Sequence, residues 1–414
     1  MAHALDRTSF PGDGAKMTST ILQPLTIENR FENARSSRPI RVAILSDYRE
    51  ENWYSMDLVG DMLTDHLARE HENRIHAQQI VPRMPQPFGS RRVGFLRNAH
   101  RALGRFVAYP REIRKLRNQF DLFHIVDHSY AHLALELPPD RVIITCHDLD
   151  AFSALLPGSP ALSPFQARLA RPILAGLQSA AWVVCASDVT RQQLLQHRLV
   201  QAERTSVVHN GVHPAFSASP NPIIDAAIAR LLNSGESPEV LHVGSTIRRK
   251  RIQDVLGIFL KLRARIPKLR LLRVGGVFTN EQQRLVRELG LENYIDVFPH
   301  IDAAHLASVY RRARVLIQPS DSEGFGLPVA EAMACGTSVI ASDIPALREV
   351  GGNAAEYCPV GDIDAWSART LELLSESSDR REARRLACIK QASQFSWSNY
   401  ASSMADLYRE VLAW

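Results

Sequence analysis

Short runs of Val, Ile and Leu alternate with longer amphipathic stretches along the chain, and this alternation constrains the fold most. Short continuous apolar runs fit strands that helices cover on both faces. Strands that alternate with helices predict parallel, doubly wound sheets. The predicted strands are 40–45, 122–126, 141–145, 182–185, 205–208, 240–243, 269–274, 315–317 and 338–340. The predicted helices are 55–70, 164–180, 188–197, 251–265, 279–289, 303–313, 328–334 and 363–375.

The length of 414 residues and a Pro-, Ser- and Asn-rich segment at 214–222 predict two α/β domains joined by a hinge. We predict an N-terminal domain over 39–215, completed by a closing helix over 398–414, and a C-terminal domain over 216–397. Open parallel sheets bind ligands at the carboxyl ends of their strands, so the predicted site is the cleft between the domains. The Ser-, Thr-, Pro- and Gly-rich residues 1–38 predict a disordered leader rather than a signal peptide.

The charge and the cysteine content limit the partners and the cellular location that we expect. The net charge of +5, from 49 basic and 44 acidic residues, predicts no nucleic-acid partner. The five cysteines are odd in number and scattered, which predicts buried, reduced thiols in the cytosol. No stretch approaches the roughly 18 apolar residues of a membrane span. We therefore expect a cytoplasmic protein, either soluble or peripheral on the inner membrane face.

The most informative stretch is 318–339, QPSDSEGFGLPVAEAMACGTSV, which follows a predicted strand. A glycine-bearing loop precedes a helix that opens at Pro328, where proline costs no hydrogen bond. Backbone N–H groups at such a helix N-terminus favour an anion such as phosphate, and the loop glycines would leave room for it. These N–H groups belong to Phe325, Gly326 and Leu327, and the loop glycines are Gly324 and Gly326.

Two carboxylates, Glu323 and Glu331, bracket this anion site at a spacing of eight. Because they would repel a bare anion, we expect them to accept hydrogen bonds from hydroxyl groups. A nucleotide-sugar has hydroxylated rings on either side of a diphosphate and fits this arrangement. The alternative is a helix N-terminus with ordinary surface glutamates. A dinucleotide fingerprint fits poorly, because Val329 stands where the third glycine belongs.

The stretch closely resembles the E-x7-E signature of the retaining glycosyltransferases of family 4. Three further segments match that family in order and spacing: VHNGV at 208–212, LHVG at 241–244 followed by RRK at 248–250, and FSW at 395–397. The resemblance extends over roughly residues 40–414. It implies an α/β fold of the glycosyltransferase-B (GT-B) type, with two Rossmann-like, doubly wound parallel-sheet domains facing a central cleft.

The resemblance also implies roles for individual residues. Glu331 matches the glutamate that holds the nucleotide ribose, and Glu323 matches the one that contacts sugar hydroxyls. Lys250 matches the diphosphate-binding lysine. The implied catalytic residues are His147, Glu323, Lys250 and its helper Arg249. The implied donor-binding residues are Gly244, Ser245, Arg249, Lys250, Glu323, Gly324, Phe325, Gly326, Leu327 and Glu331. Many members carry an arginine where this chain has Ser245, so Arg248 or Arg249 is the expected substitute.

His147 follows a predicted strand and resembles the family histidine that approaches the donor sugar across the cleft. A structural histidine is the alternative. The Asp148-x-Asp150 and Asp362-x-Asp364 pairs resemble a DxD metal motif only superficially, and the family generally needs no metal there. We therefore expect no metal and no cofactor, since the nucleotide-sugar is a substrate. The histidines His124, His128 and His132 repeat every four residues but begin on a strand, which favours packing or acceptor contact over zinc.

The acceptor side departs from the family pattern, because the segment 47–57 lacks the Gly-Gly loop that often follows the first strand. Trp53 and Tyr54 would stack on an acceptor sugar or cap the next helix, and His128 is a further acceptor-side candidate. The segment 83–117 carries ten basic residues and one acid, interleaved with apolar ones. This pattern indicates an anionic membrane surface, an anionic acceptor or a solvated helix face.

These observations predict a retaining, metal-independent hexosyltransferase. It would use a UDP- or GDP-sugar and a glycan or lipid-linked acceptor, in the synthesis of a cell-surface polysaccharide or glycolipid. The alternatives are an epimerase or phosphorylase on the same fold, and a non-catalytic nucleotide-sugar-binding subunit.

Overall fold

The first half of the chain builds a six-stranded parallel sheet whose central strands are largely apolar and buried and whose edge strands are less so. The computed structural model describes residues 38–51, 53–83, 100–156, 164–232 and 237–413. The strands are β1 (Ile40–Leu45), β2 (Ile75–Ile80), β3 (Leu122–Ile125), β4 (Val142–Cys146), β5 (Trp182–Cys185) and β6 (Thr205–Val207). Their order across the sheet is β2-β1-β3-β4-β5-β6.

The second half builds another six-stranded parallel sheet. Its strands are β7 (Glu239–Val243), β8 (Arg270–Val274), β9 (Ile295–Phe298), β10 (Val315–Gln318), β11 (Ser338–Ser342) and β12 (Glu356–Cys358). The order is β12-β11-β10-β7-β8-β9. The strand order reverses between β7 and β10 here, and between β1 and β3 in the first sheet. Such switch points are where doubly wound sheets open a crevice for ligands.

Helices connect the strands and cover the sheets. In the described residues the α-helices are α1 (Tyr54–Glu70), α2 (Tyr109–Leu116), α3 (Pro164–Ser179), α4 (Asp188–Gln196), α5 (Pro222–Leu232), α6 (Ile252–Arg265), α7 (Asn280–Glu288), α8 (Ala303–Arg312), α9 (Leu327–Ala334), α10 (Pro345–Gly351), α11 (Ile363–Leu374), α12 (Ser378–Ala392) and α13 (Trp397–Ala413). All five cysteines are buried and free.

The last helix, α13, returns to the first sheet. Its buried aromatic residues share a hydrophobic cluster with strands β1 and β3 and with helix α1. The hydroxyl of Tyr408 lies 2.7 Å from Nδ1 of His124, which is buried on β3. Both sheets belong to one compact unit, Pro39–Trp414. The domain limits near residues 215 and 397 stay predictions, and residues 1–37 of the predicted leader lie outside the described residues.

The predicted fold class, α/β with two Rossmann-like parallel sheets in a GT-B arrangement, is confirmed. Helix α9 begins at Leu327, one residue before the predicted start. Three strands were not predicted, namely β2, β9 and β12. Strand β2, IHAQQI, is half polar and β12 has three residues, so neither presents a continuous apolar run. Both lie at the edges of their sheets, where packing demands less apolar character.

Candidate functional site

Two loops meet at the switch point of the second sheet. Lys250 follows β7 and Glu323 follows β10, and Nζ of Lys250 donates to Oε1 of Glu323 at 2.5 Å. Nη1 of Arg249 donates to Oε2 of Glu323 at 3.0 Å. The Lys250 and Glu323 side chains are only 9% and 6% exposed. Burial raises the pKa of Glu323, but the charges of Lys250 and Arg249 outweigh it and hold that pKa below its usual value.

A second set of contacts locks these loops together. The backbone N–H of Asp321 donates to the carbonyl of Arg249 at 2.8 Å. Arg251, which has a left-handed φ of 47°, donates to Asp321 at 2.8 Å and to Asp254 at 2.6 Å. The strained turn at Arg251 is thus held by two carboxylates. This turn directs the preceding Lys250 toward the sheet, and helix α6 begins directly after it.

Helix α9 directs its N-terminus at the same place. Gly326 is the N-cap residue and has a φ of 109°, a conformation that favours glycine. Within the helix Glu331 is buried and accepts a hydrogen bond from the Tyr310 hydroxyl at 2.9 Å. Burial raises the pKa of Glu331 to about 7, against the opposing effect of that hydrogen bond. The site therefore combines an ionised carboxyl group, that of Glu323, with a carboxyl group on the helix, that of Glu331, whose pKa is raised into the neutral range.

Gly324 brings the two halves of the molecule into contact. A Cβ atom at Gly324 would lie 2.0 Å from the carbonyl oxygen of His147. The Ser187 hydroxyl donates to the carbonyl of Gly324 at 2.6 Å, and the Thr190 hydroxyl donates to the carbonyl of His147 at 3.2 Å. Sequence analysis gave this glycine the task of making room for phosphate. The structure shows that it makes room for the backbone at His147, and its role toward phosphate stays a prediction.

His147 lies at the carboxyl end of β4, beside this contact. Its Nε2 lies 2.8 Å from the carbonyl of Val126, which fixes the ring, and burial lowers its pKa. The backbone N–H of His147 donates to Nδ1 of His128 at 3.3 Å, and Nε2 of His128 lies 3.3 Å from Asp148. The structure thus brings the predicted His147 and His128 together, next to the Gly324 loop.

Other predicted residues lie farther from the ion pairs or contribute only backbone. Phe325 is buried in the hydrophobic core, so only its backbone can face a ligand. Ser245 is exposed after β7, and Gly244 packs beside the Lys250 methylene groups. Trp53 and Tyr54 lie at the rim of the first sheet, where Tyr54 stacks on His300 of the second half with ring centroids 4.8 Å apart.

Sequence analysis missed a buried cation beneath the site. Arg273 on β8 is fully buried and is paired in register with His242 on β7, which adjoins Gly244 and Lys250. Its guanidinium donates to the carbonyls of Val274 and Gly275, and it pairs with no carboxylate among the described residues. Burial lowers its pKa only to about 10, so it stays charged. Arg273 lies in the apolar run LLRV, and the sequence alone does not show which face of the sheet its side chain occupies.

Among the described residues, no group of three or more His, Cys, Asp or Glu side chains could hold a metal ion. The three regularly spaced histidines diverge. His124 lies between Tyr408 and Thr145, whereas His132 bonds to the carbonyl of Arg105 at 2.8 Å. No helix in the described part of the chain is both long and apolar enough to cross a membrane.

Two facing parallel sheets with this cationic site at the second switch point define a GT-B protein. Two family models match adjacent parts of the chain: Glycosyltransferase Family 4 over residues 59–216 and Glycosyl transferases group 1 over residues 224–394. The chain therefore belongs to these glycosyltransferases.

Individual relatives agree with this family. The chain is 27% identical to the Escherichia coli O-antigen chain mannosyltransferase B over 376 residues, which cover 86% of this chain and 94% of the relative. A D-inositol 3-phosphate glycosyltransferase of Thermobispora bispora is 31% identical over 241 residues, 55% of each chain. The crystal structure of Anabaena HepE with UDP and glucose is similar with a TM-score of 0.68 and 16% identity, covering 90% of this chain and all of that one.

Proposed function

We propose that this glycosyltransferase moves a hexosyl group, with retention of anomeric configuration, from a UDP- or GDP-sugar to a glycan or lipid-linked acceptor. The Lys250–Arg249–Glu323 cluster carries the proposal. Lys250 and Arg249 share the carboxylate of Glu323, Arg249 also lies 3.7 Å from Asp150, and the buried Arg273 adds a further cation beneath them. The diphosphate of a nucleotide-sugar would bind to these cations. The solved relative with UDP and glucose, and the relative named as a mannosyltransferase, support a nucleotide-sugar donor.

In the proposed reaction the bond from the anomeric carbon to the diphosphate oxygen breaks as the acceptor hydroxyl attacks from the same face. The acceptor proton passes to the departing phosphate. Lys250, Arg249 and the N-terminus of α9 stabilise the charge that grows on the diphosphate. His147 closes the opposite side of the donor sugar, and Glu331 accepts a hydrogen bond from the nucleotide ribose. We expect none of these steps to require a metal ion.

The stereochemical outcome tests this mechanism. NMR of the product should show the same anomeric configuration as the donor sugar, and EDTA should leave the rate unchanged. Inversion would contradict same-face attack, and loss of activity with EDTA would contradict metal independence. Turnover of the donor without an acceptor, or only with inorganic phosphate, would instead indicate an epimerase or a phosphorylase.

We place the enzyme in the cytoplasm, in cell-surface polysaccharide or glycolipid synthesis. Its contact with the inner membrane face would be purely electrostatic. Helix α2 exposes Arg111, Arg114 and Lys115, while its apolar residues Tyr109 and Ile113 are fully buried in the protein core. Residues 84–99 of the predicted basic segment lie outside the described residues. Sedimentation with anionic vesicles should be weak and abolished by salt, and binding equal to that of neutral vesicles would contradict it.

A further inference from the structure

A pocket of about 260 Å³ lies at the carboxyl end of β1, beside the switch point of the first sheet. It is lined by Glu51, Trp53, Arg101, Ala102 and Arg105. Tyr54, next to Trp53, stacks on His300 of the second half, which places the pocket at the rim of the cleft. The indole of Trp53 is 57% exposed and offers a flat apolar face.

The polar groups of this pocket are poorly satisfied. The side chain of Glu51 is only 4% exposed, yet its nearest cations, Arg101 and Arg105, stand 3.5 and 3.6 Å away. Direct charge-assisted hydrogen bonds measure about 2.7–2.9 Å. Oε2 of Glu51 and Nε of Arg105 are buried without a hydrogen-bond partner among the described residues. Since an unpaired buried polar group destabilises the folded protein, such a concentration indicates a ligand that supplies the missing partners.

Several contacts fix the conformation of the Arg105 side chain. Its guanidinium lies over the ring of Tyr130 at 4.1 Å from the centroid and donates to the carbonyl of Ser129. Its own carbonyl accepts a hydrogen bond from His132 at 2.8 Å. The remaining donors of Arg105 therefore point in a fixed direction. The protein then loses little conformational freedom when a ligand binds.

The charges beneath the pocket disfavour an anion. Asp47, directly after β1, is buried close to Glu51 and Arg105, and no described residue donates a hydrogen bond to either of its oxygens. It lies against the carboxyl group of Asp127 after β3, and burial with that second carboxylate raises the pKa of Asp47 well above its usual value. Arg101 and Arg105 contribute two positive charges here, which Glu51 and Asp127 already balance, so a phosphate or carboxylate would add an uncompensated negative charge. A hydroxyl group adds no charge, and it can donate to a carboxylate and accept from a guanidinium at once.

We propose that this pocket binds a neutral hydroxylated sugar ring of the acceptor, stacked on Trp53 and hydrogen-bonded to Glu51 and Arg101. The inference rests on the proposed glycosyl transfer and adds the class of the acceptor group. It excludes a phosphorylated or acidic sugar at this position. The indole meets the C–H face of the ring, and Glu51 and Arg101 bind hydroxyl groups at its edge.

The test compares two probes that share one ring, methyl α-D-mannopyranoside and mannose 6-phosphate, by NMR titration of the full chain. We expect the wild type to bind the neutral glycoside more tightly. Trp53→Ala should weaken that binding at least about tenfold, which corresponds to about 1.4 kcal/mol. Glu51→Gln should weaken the neutral probe and improve the relative binding of the phosphate. Leu103→Ala, an exposed apolar neighbour outside the pocket lining, is the matched control and should change nothing.

A tighter wild-type complex with the phosphate, or neutral binding within about twofold of wild type in Trp53→Ala, would overturn the proposal. The absence of binding by either probe would overturn it too. UDP is titrated in parallel with every variant. A protein that binds UDP but no neutral sugar contradicts only the acceptor pocket, whereas a folded protein that binds no nucleotide contradicts the proposed function itself.

Discussion

The two switch points of this molecule differ in how their charged groups are arranged. At the second sheet, Lys250 and Arg249 share the carboxylate of Glu323 through hydrogen bonds of 2.5 and 3.0 Å. Among the described residues, the buried atoms without a hydrogen-bond partner there include nitrogens of Arg249, Arg273 and His242. At the first sheet they include carboxylate oxygens of Asp47 and Glu51. A diphosphate needs nitrogen donors, whereas the hydroxyl groups of a neutral sugar can donate to carboxylate oxygens. The comparison teaches that donor and acceptor sites can be distinguished by which groups remain unpaired.

We expect the largest effect from the removal of Lys250, one of the paired charges at the second switch point. Lys250→Ala should lower the rate at least tenfold, and by analogy with oxyanion-hole deletions the loss should approach about 2.7–4 kcal/mol of transition-state stabilisation. The reason is that Lys250 faces the charge that develops on the leaving diphosphate. Steady-state kinetics measures it, with Lys261→Ala, an exposed lysine on α6, as the control. Activity of Lys250→Ala within about threefold of wild type would contradict this role.

The second prediction concerns the contact between the two regions. Gly324→Ala would place a Cβ atom 2.0 Å from the carbonyl oxygen of His147, so the halves could not close to the observed distance. We expect kcat to fall at least about tenfold, because a misplacement of about 1 Å costs up to 100-fold. The UDP dissociation constant should change little. Calorimetric titration and steady-state kinetics separate the two effects, and an unchanged kcat would show that closure at Gly324 is not required.

The third and smallest effect tests whether the charge of Arg273 contributes to binding at the donor site. Arg273→Met removes a buried cation that pairs with no carboxylate in the described part of the chain, so we expect UDP to bind about five- to tenfold more weakly. Uridine carries no phosphate and should bind as before. Calorimetric titration with both ligands measures the difference. Equal weakening of uridine and UDP would assign Arg273 a structural role, as support for the turn at Gly275.

The sequence predicted the apolar framework well and the buried polar groups poorly. Strands β1 and β5 were predicted to the residue, because their apolar runs are continuous. The family resemblance assigned Lys250 and Glu323 to the same donor site, but the hydrogen bond between them was not predicted, since 73 residues separate them. The approach of Asp47 to Asp127 follows from the adjacency of β1 and β3, which no local pattern reveals. The pocket formed by Glu51, Trp53 and Arg105 could not be predicted for the same reason.

Thermal unfolding of the full chain with a panel of UDP-, GDP-, ADP- and dTDP-sugars, with and without EDTA, tests the central claim most directly. A ligand present at 100 times its dissociation constant should stabilise the protein by about 2.7 kcal/mol. That stabilisation corresponds to a shift of several degrees for domains of this size. We predict such a shift for one nucleotide class, unchanged by EDTA and lost in Lys250→Ala. A folded protein that shows no shift with any of these donors would contradict the assignment of the second switch point as a nucleotide-sugar site.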